Sequence, residues 1–248
     1  MLETCKVMSF TPVASHFRDA QRFLGLAYSP LNWFSFAVLG AACRWSFLVR
    51  YLFPELVVRP ALLGGLRLAL NPLDLCHRAV FHEVISDNNY DLRLVPFTPD
   101  QIFDCGGHIG MFSLLARNRY PTARLTIFEP NPLNVEWIRR QVQLNGMNIE
   151  LVQAAVSVRE GEATFQDRLN YAGHLADDQT CNAQEHAAWA EQVRGAPSGR
   201  YTVRVVDLPA MLAQRRPERL LLKLDVEGEE TRLIPELFDV LPKVGRIL

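Results

Sequence analysis

Cysteine is scarce and scattered in this chain of 248 residues, which holds only Cys5, Cys43, Cys76, Cys105 and Cys181. Five widely spaced cysteines without a C-x-x-C pair argue against a disulfide framework and against a zinc knuckle. Such cysteine usage is typical of a protein in a reducing compartment. The first residues also lack the basic start, apolar run and small-residue cleavage site of a secretory signal. We therefore expect a cytoplasmic protein without a metal site.

An excess of charge of one sign is also absent. Lys and Arg total 26 and Asp and Glu total 27, for a formal net charge of -1. Such a balance does not direct the chain to nucleic acid or to acidic lipid. Hydrophobic residues make up 49% and charged residues 21%, which excludes disorder, collagen and coiled coil as descriptions of the whole chain. We expect a globular protein with no nucleic-acid partner.

Charge is locally missing from Leu24–Phe53, where Arg44 and Arg50 are the only charged side chains. Its core, residues 31–49, approaches the length of a membrane span. Arg44 inside that core costs about 2.5–3.5 kcal/mol on insertion scales, which favours a buried or partner-facing helix over a single-pass anchor. A helix on the membrane surface is a third interpretation. We hypothesise that residues 24–53 touch a membrane surface, at the inner face, or form a homodimer contact.

Two regions follow from the pattern of apolar residues. Residues 1–95 predict a mainly helical, apolar extension, with a strand signal at Leu66–Leu70 and a helix at Leu75–Ile85. From residue 96 on, short apolar strands alternate with amphipathic helices, which predicts a parallel α/β sheet. The expected elements are strands near Ile102, at Arg124–Phe128, Ile149–Val152 and Leu220–Leu224, and helices at Met111–Arg119 and from Pro132 to Gly146. In the second of these helices we expect Leu133, Trp137 and Ile138 to face inward.

The sharpest local feature is the segment Asp104–Gly110, which reads DCGGHIG between a strand and a helix. Glycines there let a ligand approach the backbone, and the following helix offers free N–H groups. Glu129 ends the next strand, 25 residues after Asp104. A carboxylate in that place can accept both hydroxyls of a ribose. These residues predict a nucleoside-containing ligand at the carboxyl edge of the sheet.

Two cofactors use such a layout. A dinucleotide frame, G-x-G-x-x-G, that ends at Gly110 needs glycine at position 105, where Cys105 stands. S-adenosylmethionine carries no pyrophosphate, and the Asp104 carboxylate suits its ammonium group. The turn therefore favours the methyl donor, while a nicotinamide cofactor and a turn without a ligand stay open.

Carboxylates also follow the apolar run Leu220–Leu224, in the segment KLDVEG that contains Asp225 and Glu227. At the carboxyl edge of an open sheet such groups lie where substrates bind, although a solvated turn before a helix is the alternative. A polar stretch of about 34 residues lies between two segments that alternate like strands, Glu162–Gln166 and Tyr201–Val206, and is too long for a plain connection. His174 opens that stretch, as a candidate base or as a surface-loop histidine.

Five segments in one order resemble the FkbM-type family of S-adenosylmethionine-dependent methyltransferases. They are residues 103–110 (FDCGGHIG), 128–132 (FEPNP), 144–146 (LNG), 154–157 (AAVS) and 222–228 (LKLDVEG). The resemblance covers about residues 96–248. Gly107 stands where the family usually has Ala, and His108 where it usually has Asn.

The resemblance implies a Rossmann-like methyltransferase sheet with helices on both faces, and S-adenosyl-L-methionine as the cofactor. It implies methyl transfer to a hydroxyl of a saccharide, glycolipid or secondary metabolite. The implied cofactor-binding residues are Asp104, Gly106, Gly107, His108 and Gly110 for the methionine part, Glu129 for the ribose, and Asn131, Ala154 and Ala155 beside the adenine. Asp225, Glu227 and His174 are the candidate general bases, because a hydroxyl is a poor nucleophile until it loses its proton.

Two other functions remain as alternatives, a nicotinamide-dependent oxidoreductase and a non-catalytic, membrane-associated protein with a vestigial Rossmann shell.

A complete sheet of the implied type has seven strands, and the fifth is expected to begin at Gly245. Strands six and seven would need roughly 30–50 further residues at mean element lengths. We therefore expect a sheet truncated at its fifth strand, either in a fragment or as an exposed edge.

Overall fold

The structure is a computed structural model that describes residues 55–166, 174–175, 200–226, 228–242 and 244–248. Residues 24–53 and Glu227 lie outside these ranges, so their roles stay predictions. Within the ranges described, helices are too short or too polar to cross a membrane.

Five parallel strands form the central sheet, in the order β11-β10-β3-β4-β5. They are β3 (Gln101–Cys105), β4 (Arg124–Phe128), β5 (Glu150–Val152), β10 (Arg219–Leu224) and β11 (Val244–Ile247). The chain runs outward from β3 to β5 and then returns to the other side of β3 as β10. The order therefore reverses between β3 and β10, where open α/β sheets form their ligand crevice.

Helices cover both faces of this sheet. On one face α2 (Met111–Arg119) and α3 (Pro132–Asn145) pack against Ile102, Leu125 and Leu221. On the other face α4 (Leu208–Arg215) and α5 (Glu230–Leu237) pack against Phe103, Leu220 and Leu222. Neighbouring strand residues thus serve opposite cores, as the two-residue period of a strand requires. The expected Rossmann-like sheet with helices on both faces is confirmed.

A second sheet begins where the chain leaves β5. Strand β6 (Ala155–Ser157) pairs with β9 (Arg200–Asp207), and β9 pairs with β7 (Gly161–Gln166), which meets β8 (His174–Leu175). The sequence pattern places strands at Glu162–Gln166 and Tyr201–Val206, and both form. Ala154 therefore lies where the chain crosses from one sheet to the other, close to the carboxyl edge of the central sheet.

The described part of the extension packs on the same core as α2 and α3. Strands β1 (Leu56–Val58) and β2 (Leu68–Leu70) form an antiparallel ribbon, followed by α1 (Leu75–Phe81) and a π-helical turn at His82–Ser86. Leu56, Leu68 and Phe81 share one hydrophobic cluster with Leu114 and Ile138. The domain boundary at residue 95 stays a prediction.

Two amide side chains of α3 form hydrogen bonds with the backbone of β2 and of the residue before it. Gln141 Oε1 accepts from the N–H of Ala69 at 2.9 Å, and its Nε2 donates to the carbonyl of Ala69 at 2.7 Å. One turn later, Asn145 makes the same pair of bonds with Arg67, each at 2.7 Å. Gln141 and Ala69 are fully buried, so the bonds between them satisfy backbone groups that water does not reach.

Replacing Gln141 with leucine tests this anchor of the extension. Gln141→Leu leaves the buried N–H and carbonyl of Ala69 without partners, and we expect it to lower the free energy of unfolding by about 2–4 kcal/mol. The matched control is Gln143→Leu, on an exposed position of the same helix, with an expected change within about 0.5 kcal/mol. Urea unfolding followed by circular dichroism measures both, and equal effects would contradict the anchor.

Candidate functional site

A cleft opens at the carboxyl edge of the central sheet, at the reversal of strand order. Its empty space, counting the part open to solvent, is about 1040 Å³. Eight of the sequence-predicted site residues line it, namely Gly106, Gly107, His108, Glu129, Asn131, Ala154, Ala155 and Asp225. The fold thus gathers residues that lie up to about 120 positions apart in the sequence.

Two other predicted site residues, Asp104 and Gly110, lie outside this lining. Asp104 is fully buried beneath the turn. Gly110 is the residue before α2, with a φ of 84°. The backbone of His174 pairs with Gln166 in β8, and its role stays a prediction, as does that of Glu227.

The glycine-rich turn fits the strand ends closely. Gly106 has a φ of 81°, and a Cβ added there would lie 1.8 Å from the backbone oxygen of Asp225. A Cβ on Gly107 would lie 2.3 Å from Cγ2 of Ile127. The first glycine therefore allows β3 and β10 to approach each other, and the second allows the turn to pack on β4.

His108 follows these glycines with a φ of 48°, in the left-handed region. Asn and His are among the side chains that this region tolerates best. The same backbone demand explains why His can stand where the family usually has Asn. The ring of His108 meets His77 edge-on at 5.9 Å, and His77 meets Trp137 at 4.9 Å, so the turn is supported from α1 and α3.

Glu129 is the most constrained carboxylate of the cleft. Its side chain is 4% exposed. Oε2 accepts from the N–H of His108 at 2.7 Å, and Oε1 from the N–H of Asn131 at 2.9 Å. Burial raises the pKa of Glu129 to about 7, although these N–H donors oppose the rise. Oε1 also accepts from Asn134 Nδ2 at 3.3 Å, whereas Oε2 keeps a second lone pair for a ligand hydroxyl.

The buried ammonium of Lys223 contacts the residues at the carboxyl ends of the two central strands, β3 and β10. Its Nζ donates to the carbonyl of Gly106 at 2.7 Å and lies 3.3 Å from Asp104 Oδ1 and 3.5 Å from Asp225 Oδ2. Ser113 Oγ donates to the other oxygen of Asp104 at 2.6 Å. Asp104 therefore supports the turn through Lys223 rather than lining the cleft.

The far wall of the cleft comes from the extension, which the sequence analysis did not place in the site. Val80, Glu83, Val84 and Tyr90 line it. Tyr90 Oη donates to Asp225 Oδ2 at 3.0 Å, across 135 positions of sequence. Local patterns carry no signal for such a contact, because it depends on how α1 and the π-helical turn pack against the sheet.

A crevice at the strand-order reversal of a doubly wound parallel sheet defines a Rossmann-like α/β protein. Residues 104–242 match the family described as Methyltransferase FkbM domain, and the chain belongs to that family.

Two curated relatives share its sequence over longer stretches. Methyltransferase sdnD of Sordaria araneosa is 28% identical over 177 residues, which cover 62% of this chain and 66% of the relative. The 31-O-demethyl-FK506 methyltransferase FkbM of Streptomyces tacrolimicus is 24% identical over 195 residues, covering 68% and 72%. The chain thus spans just under two thirds of the Sordaria protein that it matches.

Among solved structures, a Pyrococcus abyssi tRNA (uracil-54, C5)-methyltransferase in complex with S-adenosyl-L-homocysteine overlaps in part. The TM-score is 0.38 at 14% identity, over 78% of this chain and 34% of that one. A likeness of this size carries no functional comparison.

Adding one methyl group at Gly106 tests the close approach of β3 and β10. We expect Gly106→Ala to lower the free energy of unfolding by about 2–5 kcal/mol, because it adds backbone strain and an overlap with a backbone oxygen. Gly161→Ala is the matched control, since a Cβ there meets nothing within 4 Å, and its expected effect is within about 0.5 kcal/mol. Urea unfolding measures both, and similar stabilities would refute the close approach.

The buried carboxyl of Glu129 predicts a pH dependence of stability. Its pKa is about 7 in the folded protein against 4.5 for the free group, so the folded state binds the proton more tightly. Stability therefore falls as the pH rises through this window, by at most about 3 kcal/mol, and is level above it. Glu129→Gln removes the ionisation, so wild type should lose stability relative to this variant between about pH 4.5 and pH 7. A constant difference in urea unfolding would contradict the burial effect.

Proposed function

We propose that this protein is an S-adenosyl-L-methionine-dependent methyltransferase that methylates a hydroxyl group of a saccharide, glycolipid or secondary metabolite. The observation that carries the proposal is the buried Glu129 carboxylate, held at the end of β4 beside the glycine-rich turn and lining the cleft. It rests also on membership of the FkbM methyltransferase family.

The residues of the cleft fit the nucleoside part of this cofactor. Glu129 would accept hydrogen bonds from the ribose, because the N–H groups of His108 and Asn131 hold its carboxylate in a fixed orientation. Ala154, Ala155 and Phe165 form an apolar side next to Asn131, on which an adenine ring can lie. The small alanines leave room for a flat ring, and the second sheet supplies the aromatic side chain.

The methionine part would extend over the backbone of Gly106 and Gly107 towards Asp225. A cationic sulfonium there would lie near the Asp225 carboxylate, and the charge of the nearby Lys223 ammonium is offset by Asp104 and Asp225. Bound S-adenosylmethionine supplies an activated methyl group, so the chain itself has to orient the acceptor hydroxyl in line, exclude water and take its proton.

Asp225 is the base that the described geometry supports best. Its side chain is 47% exposed, lines the cleft and follows directly after β10. Glu227 and His174 remain candidate bases from the sequence. A carboxylate next to the acceptor hydroxyl can receive the proton as the oxygen attacks.

The acceptor class draws support from a relative. The Streptomyces protein is named a 31-O-demethyl-FK506 methyltransferase, which specifies an oxygen-linked methyl group on its own substrate. The apolar residues 24–53 would let a cytoplasmic protein contact the inner membrane face. A glycolipid in that membrane is therefore one candidate acceptor. A homodimer contact through the same residues is the alternative.

Isothermal titration with S-adenosylhomocysteine and with NADPH separates the proposal from an oxidoreductase. We expect the first to bind and the second not to bind.

Glu129→Ala should weaken binding of S-adenosylhomocysteine by about 1–3 kcal/mol, as expected for lost charge-assisted hydrogen bonds. Glu160→Ala, in a side chain 70% exposed, serves as the control and should leave the affinity unchanged.

Transfer of a tritiated methyl group to a panel of glycans and hydroxylated metabolites then identifies the acceptor. Binding of NADPH without binding of S-adenosylhomocysteine would overturn the proposal.

A further inference from the structure

Tyr90 makes a long-range side-chain contact between the far wall of the cleft and the end of β10. Its hydroxyl donates to Asp225 Oδ2 at 3.0 Å. Its ring lies edge-on to Phe112, with centroids 5.2 Å apart, and 5.8 Å from the Lys223 ammonium. Phe112 lines the same cleft, so the phenol is held in place by packing as well as by the carboxylate.

The two donors that meet Asp225 use the same oxygen. Tyr90 Oη lies 3.0 Å and Lys223 Nζ 3.5 Å from Oδ2. Oδ1 has no hydrogen bond or ion pair to any part of the chain that the structure describes, and the side chain is 47% exposed. The carboxylate is thus fixed at one end and open at the other.

Two neighbours of Asp225, Lys223 and Tyr90, are poor bases. Burial alone would lower the pKa of Lys223, but Asp104 and Asp225 raise it above its usual value, so this side chain stays an ammonium. Burial also raises the pKa of the Tyr90 phenol, which therefore stays a donor. Glu83 is the rival, because burial and the charge of Asp225 raise the pKa of its carboxyl and it lines the same wall.

We propose that Tyr90 is a positioning residue for methyl transfer: it holds Oδ2 of Asp225 so that Oδ1 faces the acceptor hydroxyl and receives its proton. The inference rests on the proposed function. As the oxygen attacks, its proton passes to Oδ1, a new carbon–oxygen bond forms, and the carbon–sulfur bond breaks with its electron pair left on sulfur. Tyr90 lies before residue 104, so the family match does not include it.

A double-mutant cycle with Tyr90→Phe and Asp225→Asn tests the coupling. Tyr90→Phe keeps the ring and removes the hydroxyl, and should lower kcat about 10- to 100-fold through misplacement of the base. Its affinity for S-adenosylhomocysteine should stay within about twofold, since Glu129 and the turn are unchanged. Asp225→Asn should lower kcat about 10²- to 10⁴-fold. The double variant should equal Asp225→Asn alone, because Tyr90 acts through Asp225.

Tyr120→Phe is the matched control, since this buried phenol donates to the carbonyl of Leu92 at 3.2 Å and should leave kcat unchanged. A full Tyr90→Phe effect in the Asp225→Asn background would overturn the proposal, as would a loss of turnover in Glu83→Gln that exceeds the loss in Asp225→Asn.

A readout without turnover comes from crystal structures of wild type and Tyr90→Phe with S-adenosylhomocysteine. We expect one Asp225 orientation in wild type and rotation of the carboxylate in the variant; an unchanged orientation would overturn the positioning role. Failure of wild type to bind S-adenosylhomocysteine would instead overturn the proposed function.

Discussion

The buried ammonium of Lys223 is the interaction on which the site depends. It is 4% exposed and lies under the carboxyl ends of β3 and β10, where it meets Asp104, Asp225 and the carbonyl of Gly106. Taking such a charge out of water is costly, and the cost is offset only when its partners are well placed. The same contacts therefore fix the conformation of the glycine-rich turn and the orientation of one oxygen of Asp225. Tyr90 then completes the environment of that oxygen from the other side of the cleft.

The sequence predicts the features that depend on interactions within a few residues, and it does not predict those that depend on the tertiary structure. The bounds of α2, β4 and α3 agree with the expected ones because glycines, a capping Asn and a first-turn Pro act within a few residues. The expected inward face of α3 is wrong at Leu133, which is 54% exposed, while Asn134 and Gln141 are buried. Those amides face inward because Glu129 and Ala69 offer them partners, and such partners belong to the tertiary structure. Tyr90 was missed for the same reason.

The two sides of the cleft differ in how they are built. The side that contains Glu129 comes from one β–turn–α unit and the strand next to it, so its residues are close in sequence and recur as motifs. The opposite side comes from α1, the π-helical turn and Tyr90, which reach the sheet only because the extension shares a hydrophobic cluster with α2 and α3. The family match at residues 104–242 covers the first side and leaves out the second. Residues that bind a common cofactor can be shared across a family, whereas a wall that meets the acceptor can change without disturbing them.

Two unfavourable features meet at the glycine-rich turn. His108 has a positive φ, and Glu129 is a carboxyl buried enough to raise its pKa to about 7. Each lowers stability by itself, and such features persist only where the surrounding structure over-determines them. Here the surroundings are the Lys223 contacts below the turn and the His77–Trp137 contact beside it. Ligand hydroxyls donating to Glu129 would favour its charged form, which burial disfavours. If the proposed function holds, a bound ribose would therefore reduce the cost of burying Glu129.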